Sequence, residues 1–171
     1  MRWLPYGFGY VYALVTAAAV AWRGPWLLAP AVLSFVLNGI PLIYDGQEAG
    51  LDHRLKFFER DPIQWRPSPA AALYHTLCEL KHTCPALETG AAMRRLPTTQ
   101  NDQIYAVLRE AQGQRVLAVL NLTARDATAS ACDPALAGKW RDAFTGQTVT
   151  LTDTPTFALQ SWGYQVLVSQ P

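Results

Sequence analysis

The stretch GIPLIYDGQEAG, residues 39–50, decides how this sequence is read. Residues 40–44, IPLIY, make an apolar run of strand length, and Asp45, Gln47 and Glu48 follow at once in a polar turn. An all-apolar strand is what a parallel sheet covered on both faces requires. Upstream, APAVLSFV at 29–36 has the composition and length of a buried helix end, and Asn38-Gly39 closes it as a C-cap glycine does. A helix feeding such a strand is the α/β pattern. Two carboxylates at the carboxyl end of that strand stand at the rim where barrel enzymes keep their chemistry.

Length and charge bound the rest. With 171 residues, 50% of them hydrophobic, the chain is long enough for one ordinary core with room for a smaller satellite. A complete (β/α)8 barrel typically needs about 250 residues, so any barrel here is partial. The net charge is +1 and the 14 basic residues form no run, which excludes a footprint for nucleic acid or for an acidic membrane surface. Cys78, Cys84 and Cys132 match neither a disulfide framework nor a zinc spacing, and read as buried or idle thiols. His53, His75 and His82 share no metal-ligand spacing. No metal and no cofactor is expected.

Residues 1–28 are the oddest part. No charge falls between Arg2 and Arg23, nor between Arg23 and Asp45, which imitates a transmembrane hairpin; Arg2 ahead of VYALVTAAAV also imitates a signal peptide. Pro5, Gly7 and Gly9 break the first apolar segment, and Pro25, Pro30, Gly39 and Pro41 cut the second. Broken apolar runs of this kind favour globular core over membrane insertion.

After the acidic turn, LDHRLKFFERDPIQWRPSP (51–69) is charged, and its three prolines prevent a long helix. It reads as a long loop whose aromatics Phe57, Phe58 and Trp65 need cover. Residues 69–83 place Leu73, Leu77 and Leu80 at helical spacing behind a first-turn proline, and Pro85 ends the run. From about residue 91 the period changes: QIYAVLRE, RVLAVLNL, KWRDAF, TVTLT, TFALQ and GYQVLV alternate with turn signals, the pattern of an antiparallel sandwich. The fold class is α+β. It divides into an apolar segment at 1–28, a partial (β/α) barrel end at 29–90 and an all-β antiparallel sandwich at 91–171.

Residues 31–65 carry a resemblance that periodicity does not supply. Gly39, Pro41, Tyr44, Gly46 and Glu48 fit a Gly-x-Pro-x-x-Tyr-x-Gly-x-Glu pattern, and Arg54 to Trp65 fit Arg-Leu-x-Phe-Phe-Glu-x-Asp-Pro-Ile-x-Trp. Together they resemble the eighth strand and following loop of the alpha-amylase superfamily, glycoside hydrolase family 13. ALYHTLCELKHTCPAL is similar to the helix that closes such barrels, and VLAVLNL, AFTGQTVTL and SWGYQVL resemble strands of the C-terminal β-sandwich, as in maltogenic amylases. The likeness covers about residues 29–171.

The resemblance implies a parent activity at α-glucosidic bonds and an α-glucan or maltooligosaccharide as partner. It also implies no catalysis by this chain alone. The family's nucleophilic Asp, acid/base Glu and the Asp of its Asn-His-Asp motif come from other strands, and none of those motifs occurs here. The expected reading is the C-terminal portion of such a hydrolase, separated by truncation, a frame disruption or a late start codon. Tyr44, Asp45 and Glu48 are then substrate-binding residues of the barrel rim, and no residue is catalytic.

Plainer roles stand beside these. The carboxylates of Asp45 and Glu48 are expected to cap backbone amides or pair with Arg54 or Lys56, and Glu59 and Asp61 to lie on a solvated face. Trp65, Trp140 and Trp162 are expected in the core rather than stacked on sugar rings. Asn121-Leu122-Thr123 matches the glycosylation triplet, which chance supplies often. The alternatives are a non-enzymatic carbohydrate-binding or interaction module, or a small membrane-anchored protein.

Overall fold

The computed structural model describes residues 28–56 and 58–170. The expectations for residues 1–27 and Phe57 lie outside them. Two α-helices lead the described chain, α1 at Leu28–Val36 and α2 at Pro69–Thr83, followed by a 3-10 turn at Pro85–Leu87. Eight strands follow: β1 Ala92–Leu96, β2 Ile104–Ala111, β3 Gln114–Asn121, β4 Ala127–Ser130, β5 Gly138–Asp142, β6 Thr148–Leu151, β7 Thr156–Leu159 and β8 Tyr164–Ser169. They form a six-stranded sheet ordered β1-β2-β3-β8-β5-β6, and a two-stranded sheet of β4 and β7. All pairings are antiparallel.

Side-chain alternation explains the layers. Along β3, Val116, Ala118 and Leu120 face the helices, while Leu117 and Val119 face the small sheet. On β8, Val166 and Val168 point one way and Leu167 the other. Covering both faces of the large sheet is why RVLAVLNL shows almost no polar positions: each successive residue has a core to enter. The β2–β3 hairpin closes through Gln112 and Gly113, both at positive φ (52° and 76°), as a tight two-residue turn demands.

The helices are held by what they bury. At nine residues α1 is too short to persist alone, and Ala29, Val32, Phe35 and Val36 are buried against α2 and the sheet. α2 starts as expected: Ser68 Oγ accepts from Ala70 N–H at 3.2 Å, Pro69 sits in the first turn, and Leu73, Leu77 and Leu80 turn inward. On the far face, the indole of Trp140 and the side chains of Leu136 and Phe157 fill the space between the sheets.

Three elements differ from expectation. Residues 40–44 are not a strand but an extended segment without regular structure. A strand exists only as a member of a ladder, and no described strand lies beside this one. Its side chains still alternate: Ile43 packs on the helical core, whereas Ile40 and Leu42 are 84% and 61% exposed. The sandwich also contains β1 and β4, whose AMRRL and ATAS segments lack the β-branched composition that marks the other strands.

Candidate functional site

The turn that follows the extended segment is built from overlapping backbone bonds. Gln47 N–H donates to Tyr44 O (2.9 Å), Ala49 N–H to Gly46 O (3.0 Å), Gly50 N–H to Gln47 O (3.1 Å) and Leu51 N–H to Gly46 O (2.9 Å). Gly46 and Gly50 take φ of 86° and 75°, which L side chains rarely adopt. At Gly46 there is also no room: a Cβ would stand 3.0 Å from Ile63 Cγ2 and 3.2 Å from Leu51 Cβ. The glycine pattern of this turn thus has a steric cause.

Tyr44 is fixed at both ends. Its amide donates to Gln47 Oε1 at 3.1 Å, and its hydroxyl accepts from Leu55 N–H at 3.0 Å, tying the turn to the loop that follows. Asp45 is exposed. Glu48 is half-buried, and its Oε2 atom is shielded from solvent with no hydrogen-bond partner. The carboxylate lies near α2: burial pushes the Tyr74 phenol above its ordinary range, and the Glu48 charge and then Cys78 push it further. The two acids thus point into different surroundings, Asp45 toward solvent and Glu48 toward the helix layer.

The charged loop is more ordered than a solvated face. Asp61 Oδ2 accepts from Lys56 N–H at 3.1 Å and stands 3.5 Å from His53 Nε2, while His53 Nδ1 is 3.2 Å from Asp52 Oδ1. The Lys56 ammonium pairs with Glu59 at 2.7 Å rather than with Asp45 or Glu48, because the local (i, i+3) partner is nearer. Residues 49–53, 61–64 and 66 line a cleft of about 450 Å³ at this loop. Trp65, expected in the core, is 63% exposed, and Phe58 is 93% exposed, since no described element covers the outer side of the loop. Trp140 is fully buried and Trp162 half-buried.

Burial raises the thiol pKa of both Cys84 and Cys78, so neither is an activated nucleophile. Among the described residues no group of three metal-ligating side chains gathers, and no helix is long and apolar enough to cross a membrane.

Two residues whose structural role the sequence did not show prove central. Asn121, wholly buried, donates through Nδ2 to Arg125 O (2.6 Å) and Gln160 O (2.9 Å), and accepts at Oδ1 from Thr123 N–H (3.0 Å) and Thr123 Oγ1 (2.8 Å). The triplet that suggested glycosylation is therefore an internal turn brace. Arg109, also wholly buried, interrupts the apolar side of β2 and reaches the helix layer. The signal for it was present: a cation at an inward position of an alternating strand.

No protein-family model and no curated protein sequence matches this chain. Solved structures do. A maltogenic alpha-amylase from Thermotoga neapolitana superimposes with a TM-score of 0.75 at 16% identity, covering 91% of this chain and 39% of that one. The trehalulose synthase MutB from Pseudomonas mesoacidophila MX-45 gives 0.62 at 18% identity, over 87% and 39%. AmyP in complex with maltose gives 0.63 at 15%, over 84% and 34%. The chain thus spans about a third to two-fifths of the length of the proteins it matches. Enzymes named for different reactions share this architecture, so the fold alone does not choose a reaction. The fold of this chain is one found in alpha-amylase-family enzymes.

Proposed function

We propose that this chain is the C-terminal part of an alpha-amylase-type glycoside hydrolase and has no turnover of its own. On this reading residues 29–90 are the end of the catalytic barrel and residues 91–171 the β-sandwich behind it. The observation that carries the proposal is the asymmetry of coverage: 91% of this chain aligns with only 39% of the maltogenic enzyme.

The chemistry agrees. Retaining cleavage needs a carboxylate nucleophile and a carboxylic acid roughly 5 Å apart on opposite sides of the scissile bond. Asp45 and Glu48 share a single turn, one exposed and the other directed toward α2, so they do not face each other across a cleft. Their proposed role, with Tyr44, is to line or brace the sugar-binding rim of the whole enzyme, with an α-glucan or maltooligosaccharide as ligand. AmyP was solved with maltose, which supports that ligand class.

Maltotriose and a chromogenic α-glucoside test the proposal. The purified chain is expected to release product no faster than buffer. Turnover abolished by Asp45→Asn would overturn it. A second reading, a carbohydrate-binding module, is favoured only by the exposed indole of Trp65, since aromatic faces stack on sugar rings. It predicts saturable quenching of tryptophan fluorescence by maltooligosaccharides, lost in Trp65→Ala. A flat response to millimolar sugar eliminates it.

A further inference from the structure

The junction between the helix layer and the sandwich is organised by one buried cation. Arg109 lies on β2 and is fully buried, and its guanidinium reaches segments distant in the chain. Nη1 donates to Val36 O at 2.9 Å; Nη2 donates to Asn38 Oδ1 at 3.1 Å and to Glu88 O at 2.8 Å. Asn38 Oδ1 also accepts from Gly90 N–H at 3.1 Å. One strand residue thus gathers the end of α1, the start of the 39–50 segment and the chain that follows the 3-10 turn.

The placement answers an electrostatic need. A helix C-terminus leaves carbonyl groups unsatisfied and carries partial negative charge, which a cation in the last turn normally offsets. α1 has no basic residue in its last turn. The cation arrives instead from a strand 73 residues further along the chain. A guanidinium suits the task because its planar fork serves several acceptors at once, which a lysine ammonium on a flexible stem does not.

We propose that Arg109 is a positioning residue through which the sandwich sets the course of the chain leaving α1, and with it the 39–50 turn. Among the described residues, 37–40 pair with no strand, so the bonds made at Val36 O and Asn38 Oδ1 help tie down the chain where it enters the turn. The sandwich is then an organiser of the turn rather than an appendage. This holds whether or not the turn binds sugar.

Hydrogen exchange on the full chain tests it, reading residues 33–51 and 84–91 against residues 104–120. Asn38→Ala removes one acceptor at a half-buried site and is expected to speed exchange about tenfold in the first two regions while leaving the third unchanged. Asn38→Asp keeps the acceptor and is expected to restore protection. In an Arg109→Met background, Asn38→Ala is expected to add nothing further in residues 33–51, because both changes open the same junction. Unchanged exchange in Asn38→Ala, or a rise spread evenly over all three regions, overturns the proposal. If Arg109→Met does not fold, the Asn38 pair decides alone. A catalytic or sugar-binding result at the turn leaves this outcome unaffected.

Discussion

The indole N–H of Trp140 donates to the carbonyl oxygen of Leu136 at 2.8 Å, locking β5 to the 3-10 turn at Pro134–Leu136 in the centre of the sandwich. Arg115 lies over the same indole, 5.2 Å from the ring centroid, and also donates to Ala135 O. The ring is wholly buried, so it is a structural post and offers no sugar platform. Trp140→Phe keeps most of the apolar volume but strands the Leu136 carbonyl. The expected loss is about 1–3 kcal/mol in urea unfolding. A change under about 0.5 kcal/mol would show that the bond contributes little.

Asn121 tests the sandwich at its most polar point. Its amide nitrogen faces the carbonyls of Arg125 and Gln160, while its oxygen serves Thr123. Asn121→Ala leaves several buried groups unpaired and is expected to cost about 3 kcal/mol or more. Asn121→Asp, almost the same shape, turns a donor into a charged acceptor aimed at carbonyl oxygens, and is expected to be at least as damaging at neutral pH. Calorimetric midpoints of the two variants check the ordering.

Gly46 and Gly90 form a natural control pair. Both hold positive φ, 86° and 90°, but only Gly46 is crowded; at Gly90 an added Cβ meets nothing within 4 Å. Gly90→Ala should therefore show the backbone penalty alone, about 1–2 kcal/mol. Gly46→Ala adds a clash with Ile63 and Leu51 and should exceed it by about 1 kcal/mol or more. Equal losses would mean that Ile63 yields at no cost.

Acid stability should report on Asp133. Its hydrogen bond to Arg94 lowers the carboxyl pKa, opposed by partial desolvation and aided by Ala135 N–H. A group depressed in the folded state adds stability that is present above its unfolded pKa of about 3.9 and lost as pH falls through the lower folded value. Arg94 is half exposed, so the pair is worth at most about 1 kcal/mol. Asp133→Asn should lower stability slightly at pH 7 and flatten the loss below about pH 4, seen as converging thermal midpoints.

The expectations that held are those with a local cause. The start of α2 follows from Ser68-Pro69 and from leucines at helical spacing. β2, β3 and β8 follow from β-branched runs between turn residues. β1 and β4 escaped because they owe their place to partners: the Arg94 and Arg95 backbones pair with Leu108 and Val107, and ATAS pairs with TFAL. Their side chains carry little strand preference of their own.

The turn at 44–51 shows the same division. Its glycines and the Tyr44 anchor fall within a pattern visible in the letters, because positive φ and close approach leave no other residue type comfortable. Whether IPLIY is a strand was not legible, since a ladder belongs to the neighbour as much as to the segment.

Composition and periodicity were enough for an α+β chain with a two-layered antiparallel sandwich, because helix starts, turns and alternation are short-range consequences of side-chain shape. Only the folded molecule brought Arg109 to the end of α1, buried Asn121, exposed Trp65 and sent Asp45 and Glu48 into different surroundings. Those facts depend on contacts between residues far apart in the chain. Such contacts are chosen by which surfaces can be buried together, and no window of sequence contains both sides of that choice.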